Sequence, residues 1–211
     1  MKRIELSRLD TLFAAIAKRQ ALYLPTDDGA GQAAFTKWAP GTALSGRLNT
    51  VRSAKDLFFP QVEPLMAFRV TGKQIEALPT PEMPERFVLF GARACDTRSF
   101  ELLDRVFLSE PRDSYYADRR EAATVVSLAC TRPEETCFCT NFGIDPTEPK
   151  GDATAWIIGS EMYLCANTEK GEALLAGLED ADGAPVAAQQ ERIRAITAQL
   201  PFAQLELDGF D

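Results

Sequence analysis

Histidine is absent from this 211-residue chain. That removes the commonest general base, any Ser-His-Asp triad, and every His-ligated zinc or non-haem iron site. A metal held here would rest on sulfur, with carboxylates as helpers. Long apolar runs are missing too, since none approaches the roughly 20 residues needed to span a bilayer. Basic residues are in deficit. Lys and Arg total 23 against 31 Asp and Glu, leaving a net charge of −8 and a pI of about 4.8. Sequence-independent nucleic-acid binding depends on Lys and Arg neutralising phosphates, so it is disfavoured. The start, M-K-R-I-E-L-S-R-L-D, puts charges where a signal peptide needs apolar residues. The expected compartment is the cytoplasm. There thiols stay reduced, and clustered cysteines bind metals or do redox chemistry more often than they form structural disulfides.

What is present is a grouped set of five cysteines. Cys95 lies in F-G-A-R-A-C-D (90–96). Cys130, Cys137 and Cys139 lie in L-A-C-T-R-P-E-E-T-C-F-C-T (128–140). Cys165 stands apart in an alternating apolar run and reads as structural. Length and composition suit a soluble globular chain of one large domain or two small ones.

The pattern along the chain predicts an α/β fold, a mixed sheet flanked by helices with cysteine-bearing loops at strand ends. Leu6, Leu9, Leu12, Phe13 and Ile16 recur at helical spacing over 4–18, with Ser7 and Asp10 as a capping box. A strand over 21–24 stops at Pro25. Residues 33–70 read as irregular, with a strand near 66–70. Thr71 would cap a short helix over 72–77, and T-P-E-M-P-E (80–85) connects onward. Arg86–Phe90 reads as a buried strand, followed by a loop holding Cys95 and Asp96 and a helix over 98–107. A second buried strand covers 123–129 and ends at Cys130. Residues 131–150 hold three prolines and no periodicity, so they form a long loop. A hairpin over 155–166 and helices over 168–178 and 185–199 complete the chain, with a plausible hinge at 176–188.

Cys95, Cys130, Cys137 and Cys139 supply four thiolates from two strand ends, enough for a [4Fe–4S] or [2Fe–2S] shell. Ligands gather at the carboxyl ends of parallel strands, so the two loops would meet there. Arg93 and backbone N–H groups would offset cluster charge, while Asp96 would serve the helix N-terminus. The spacing is not that of a ferredoxin run. It leaves open buried thiols, zinc held by four cysteines, and a reversible disulfide between Cys137 and Cys139. Tyr115, Tyr116, Arg119 and Arg120 read as structural. The F-F-P-Q-V-E-P-L block reads as packing, and T-G-K-Q (71–74) lacks the glycine and the Ser/Thr of a phosphate loop.

The chain resembles the N-terminal domain of the beta subunit of cytosolic sulfhydrogenases and the A subunit of anaerobic sulfite reductase. The resemblance runs through L-Y-L-P-T (22–26), K-D-L-F-F-P-Q-V-E-P-L (55–65), F-G-A-R-A-C-D, L-L-D-R-V-F (102–107), Y-Y-A-D-R-R-E (115–121), the second cysteine segment and T-E-K-G-E-A-L-L (168–175). It implies a single iron–sulfur domain over 1–211, without the family's C-terminal two-cluster ferredoxin domain. It implies Cys95, Cys130, Cys137 and Cys139 as ligands of one [4Fe–4S] cluster; zinc is the alternative cofactor that the four thiols alone leave open. The implied role is a non-catalytic relay of single electrons inside an oxidoreductase complex of hydrogenase or sulfite reductase type. The implied partners are a flavin- and NAD(P)H-binding subunit and a catalytic subunit, with a ferredoxin as another. The family commonly carries proline where this chain has Ala94.

Overall fold

A computed structural model describes residues 1–78 and 84–204. Residues 80–83 of the expected connector, and the terminal L-D-G-F-D, lie outside the described residues. The fold is α/β, with a large mixed sheet flanked by helices. Ten strands form among the described residues: β1 Lys2–Glu5, β2 Ala21–Asp27, β3 Ala33–Lys37, β4 Phe68–Thr71, β5 Gln74–Ala77, β6 Phe87–Ala92, β7 Ala123–Leu128, β8 Ala153–Ile158, β9 Glu161–Ala166 and β10 Glu179–Asp180. Among the described residues, five α-helices accompany them: α1 Leu9–Ala17, α2 Ala94–Phe107, α3 Ser114–Ala122, α4 Glu169–Leu175 and α5 Ala184–Thr197. Eight strands build one sheet in the order β10-β1-β9-β8-β7-β6-β2-β3. Its centre, β2-β6-β7-β8, is parallel, and antiparallel strands flank it.

β6 and β7 are buried at every position, as strands covered on both faces must be. Alternation divides their side chains between two cores. Val88, Phe90, Val126 and Leu128 join Phe13 and Ile16 of α1 on one face. Phe87, Leu89 and Val125 join Phe100 of α2, Tyr116 of α3 and Phe58 on the other. A smaller cluster packs Val186 of α5 against Trp156 and Tyr163. Among the described residues, no helix is long and apolar enough to cross a membrane.

Several local expectations are corrected. The first helix starts at Leu9 rather than Ile4, because Lys2–Glu5 pairs with β9 as a strand. Ser7 Oγ donates to Glu5 Oε2 (3.1 Å) and caps nothing. β2 continues through Pro25, since its pairing with β6 ends at Tyr23–Leu89 and the missing N–H breaks no ladder bond there. The expected helix over 72–77 is one strand of a hairpin, β4–β5, with Gly72 at φ +63° in the turn. That hairpin is amphipathic: Phe68, Val70, Ile75 and Ala77 share one face, and Arg69 pairs with Glu76 on the other (3.5 Å). β10 pairs with β1 inside the proposed hinge. Cys95 and Asp96 lie in the first turn of α2 rather than in a loop.

One glycine shapes the approach to that helix. The β6–β7 register shifts between Phe90 and Ala92, with Gly91 as the extra residue at φ +94°. A Cβ there would stand 2.9 Å from Pro25 Cδ. Only glycine meets both demands without strain. Gly91→Ala is expected to destabilise the protein by roughly 1–3 kcal/mol, read as a lowered Tm. An unchanged Tm would show that the bulge tolerates a side chain.

Candidate metal centre

The parallel pair β6–β7 delivers the first two cysteines to neighbouring strand ends. Cys95 follows the Gly91 bulge by four positions, in the opening turn of α2. Asp96 Oδ2 accepts from the Arg93 backbone N–H (3.0 Å), and Oδ1 accepts from Ser53 Oγ (3.0 Å). Asp96 is thus engaged in capping, as its position suggested. Cys130 lies two residues beyond β7, and its N–H donates to Pro146 O (2.9 Å), which closes the base of the long loop.

That loop folds back on itself. The Cys137 N–H donates to Glu134 O (2.9 Å), and the Glu134 N–H donates to the Cys137 sulfur (3.3 Å). Asn49 Nδ2 donates to Glu134 Oε2 (3.2 Å), tying the loop to the 45–53 strap. Cys139–Phe142 forms a single 3₁₀ turn that ends at Gly143, φ +63°. On the far side, α5 holds the loop. Arg194 pairs with Asp145 (2.7 Å) and Glu148 (2.9 Å). Phe138 and Phe142 pack edge to face, 5.8 Å between centroids, and both are exposed.

All five cysteines are free thiols. Burial pushes the Cys130 thiol up to about 12, with Arg93 opposing the rise and Cys95, Cys139 and Cys137 adding to it. Cys95 is exposed as a residue, yet the protein packed around its sulfur pushes it up to about 11, helped by Asp96 and Cys139. Cys139 is raised by burial and then by Cys137. Cys95, Cys130 and Cys139 therefore lie within electrostatic reach of one another, and Cys137 within reach of Cys130 and Cys139. Among the described residues, no three Cys, Asp or Glu side chains converge tightly enough for one metal ion. The donors in reach are sulfur, which suits zinc and iron–sulfur clusters alike. One buried side-chain oxygen, Asn141 Oδ1, lacks a partner, and it belongs to the Cys139 turn.

Raised thiol pKa values carry a pH signature. Cys95 and Cys130 both lie above the ordinary 9.0, so their contribution to stability is full below about pH 9 and is lost as pH rises towards 11–12. Metal-free wild type is expected to lose Tm faster over that interval than Cys130→Ala. Parallel curves would show that Cys130 is not desolvated.

No family model matches the chain, and no solved structure matches it. One curated relative does match in part. The chain is 47% identical over 60 residues to sulfhydrogenase 2 subunit beta of Pyrococcus furiosus. The match covers 28% of this chain and 18% of the relative. Over that stretch the chain is related to a sulfhydrogenase subunit.

Cys165 stays apart from the four. It sits in β9 opposite Thr154, against the cluster around Trp156, as a structural cysteine would. The F-F-P block packs, with Phe58 fully buried and Phe59 stacked on Phe107 at 4.7 Å. Sequence reasoning missed the 45–53 strap. Its polar, aperiodic residues give no local sign that Asn49 and Ser53 reach the two cysteine segments.

Proposed function

We propose that this domain is an iron–sulfur electron-transfer component of a cytoplasmic oxidoreductase complex. In this reading Cys95, Cys130, Cys137 and Cys139 hold one [4Fe–4S] cluster. The observation that carries it is that the parallel pair β6–β7 brings Cys95 and Cys130 to neighbouring strand ends, where the charge of Cys139 bears on both and that of Cys137 on Cys130. Partial identity with a sulfhydrogenase beta subunit supports the redox setting. When bound, the cluster would supply reversible one-electron storage.

The chain's own residues would do the rest. The two strand ends and the 137–139 segment would fix the thiolates, and each must lose its proton as it binds. Sulfur donors suit zinc and iron–sulfur clusters alike, and the partial identity with a sulfhydrogenase subunit favours the cluster. Exposed Phe138 and Phe142 flank Cys137 and Cys139, giving a partner an apolar surface beside the centre. The partners on this reading are a flavin- and NAD(P)H-binding subunit and a catalytic subunit. Acid–base chemistry is left to them.

The test is anaerobic purification followed by iron, sulfide and zinc assays on one sample. About four irons and four sulfides per chain, with broad absorption near ~400 nm, are expected. A colourless protein with about one zinc would replace this reading with a zinc-held scaffold. Loss of two thiols on mild oxidation without metal loss would replace it with thiol–disulfide chemistry at Cys137 and Cys139.

A further inference from the structure

Arg93 occupies an unusual place between the two cysteine segments. Its guanidinium donates to three main-chain oxygens: Ala129 O (3.2 Å), Leu128 O (3.4 Å) and Arg47 O (3.2 Å). Its own N–H is held by Asp96 one helical turn on. One side chain thus joins the end of β7, the start of α2 and the strap. The carbonyls are neutral, and among the described residues Arg93 makes no ion pair. Neighbouring Arg47, by contrast, pairs with Asp27 (3.2 Å). Arg93 is half-buried, where an uncompensated charge is costly. Its field reaches Cys130, which directly follows the Ala129 carbonyl it grips.

We propose that Arg93 is the positioning residue of the thiol centre and its built-in counter-charge. The three-carbonyl grip sets Cys130 against Cys95 before anything binds. The unpaired charge then waits for an anionic group, such as a metal core outweighed by four thiolates. A positive charge beside such a group stabilises the reduced, more negative state and raises its reduction potential. Lysine keeps the charge but lacks the planar fork that reaches three acceptors. Glutamine loses both. This inference rests on the centre proposed above.

Wild type, Arg93→Lys and Arg93→Gln would be reconstituted without oxygen with ferrous iron and sulfide, then titrated by spectroelectrochemistry and challenged with a chelator. A wild type that takes up no cluster defeats the centre itself, whatever Arg93 does. With wild type loaded, Arg93→Gln is expected to show a more negative potential than the other two. Both variants are expected to lose iron roughly 10- to 100-fold faster than wild type, in line with lost outer-shell support. Equal potentials in wild type and Arg93→Gln would overturn the counter-charge. Equal iron loss would overturn the positioning role. Should Arg93→Gln hold no cluster, hydrogen exchange on metal-free wild type and Arg93→Lys decides. Faster exchange over 45–50 and 128–131 in the variant is expected, and unchanged exchange overturns the proposal.

Discussion

Cys137→Ser protein, purified without oxygen, is expected to carry at least ~10-fold less iron than wild type and to lose its visible absorption, since losing a ligand should cost no less than losing an outer-shell partner. A serine hydroxyl is a hard, weakly acidic donor, whereas the proposed centre would rely on soft thiolate sulfur. Cys137 sits in a loop whose own hydrogen bonds are local, at Glu134. The substitution should therefore leave the sheet intact and the circular dichroism unchanged. Cys165→Ser is the matched control. Cys165 lies on β9, pairs with Thr154 and is apart from the other four thiols, so iron content should stay at the wild-type level. Equal iron in wild type and Cys137→Ser would remove Cys137 from the ligand set. A loss of iron in Cys165→Ser as large as in Cys137→Ser would show that iron reports folding rather than ligation.

The strands that present the site were legible because their composition leaves little choice. F-V-L-F is apolar throughout and A-T-V-V-S-L is uncharged and mostly apolar, which fits parallel strands buried on both faces. The hairpin of β8 and β9 was legible too, because a Gly-Ser turn separates two apolar runs. Lys2–Glu5 was not. Its four residues are mostly charged, and their strand identity comes from pairing with β9 far along the chain. Residues 72–77 misled for a related reason: a short polar stretch after threonine suits a helix cap, but Gly72 at φ +63° and the Val70–Ile75 pairing make it a hairpin. The grouping of the cysteines was visible in the sequence. What brings the groups together was not, because Arg93 to Ala129, Asn49 to Glu134 and Ser53 to Asp96 are all long-range polar contacts. Periodicity does not encode such contacts.

Arg120→Met is expected to lower stability by about 2 kcal/mol, less than the cost of breaking a fully buried ion pair because both partners are half-buried. For a chain of this length that corresponds to a Tm drop of roughly 4–8 °C. Arg120 on α3 grips Asp104 on α2 with both arms, Nε at 2.8 Å and Nη2 at 2.9 Å. Tyr116 OH donates to the same carboxylate at 2.7 Å. The guanidinium also lies over the rings of Phe58 (5.0 Å) and Phe100 (5.7 Å). Burial alone would raise the Asp104 pKa, but the bonds from Arg120 and Tyr116 outweigh it and hold the carboxyl below its ordinary 3.8. With that pKa depressed, the carboxylate's contribution is full above about pH 4 and is lost as pH falls below it. In Arg120→Met the same burial acts unopposed by a cation, and protonation of Asp104 relieves it. The gap between wild type and variant should therefore narrow as pH falls from 7 towards 3. Asp104→Asn added to Arg120→Met should recover part of the loss, because no bare carboxylate remains. A gap that does not change with pH would move the cost from Asp104 to the lost stacking on Phe58 and Phe100. The clamp also bears on the centre. Asp104 belongs to the helix that opens with Cys95, and α3 runs directly into β7, which ends at Cys130. Loosening this pair should therefore slow cluster uptake even though it lies on the helices and touches none of the four thiols.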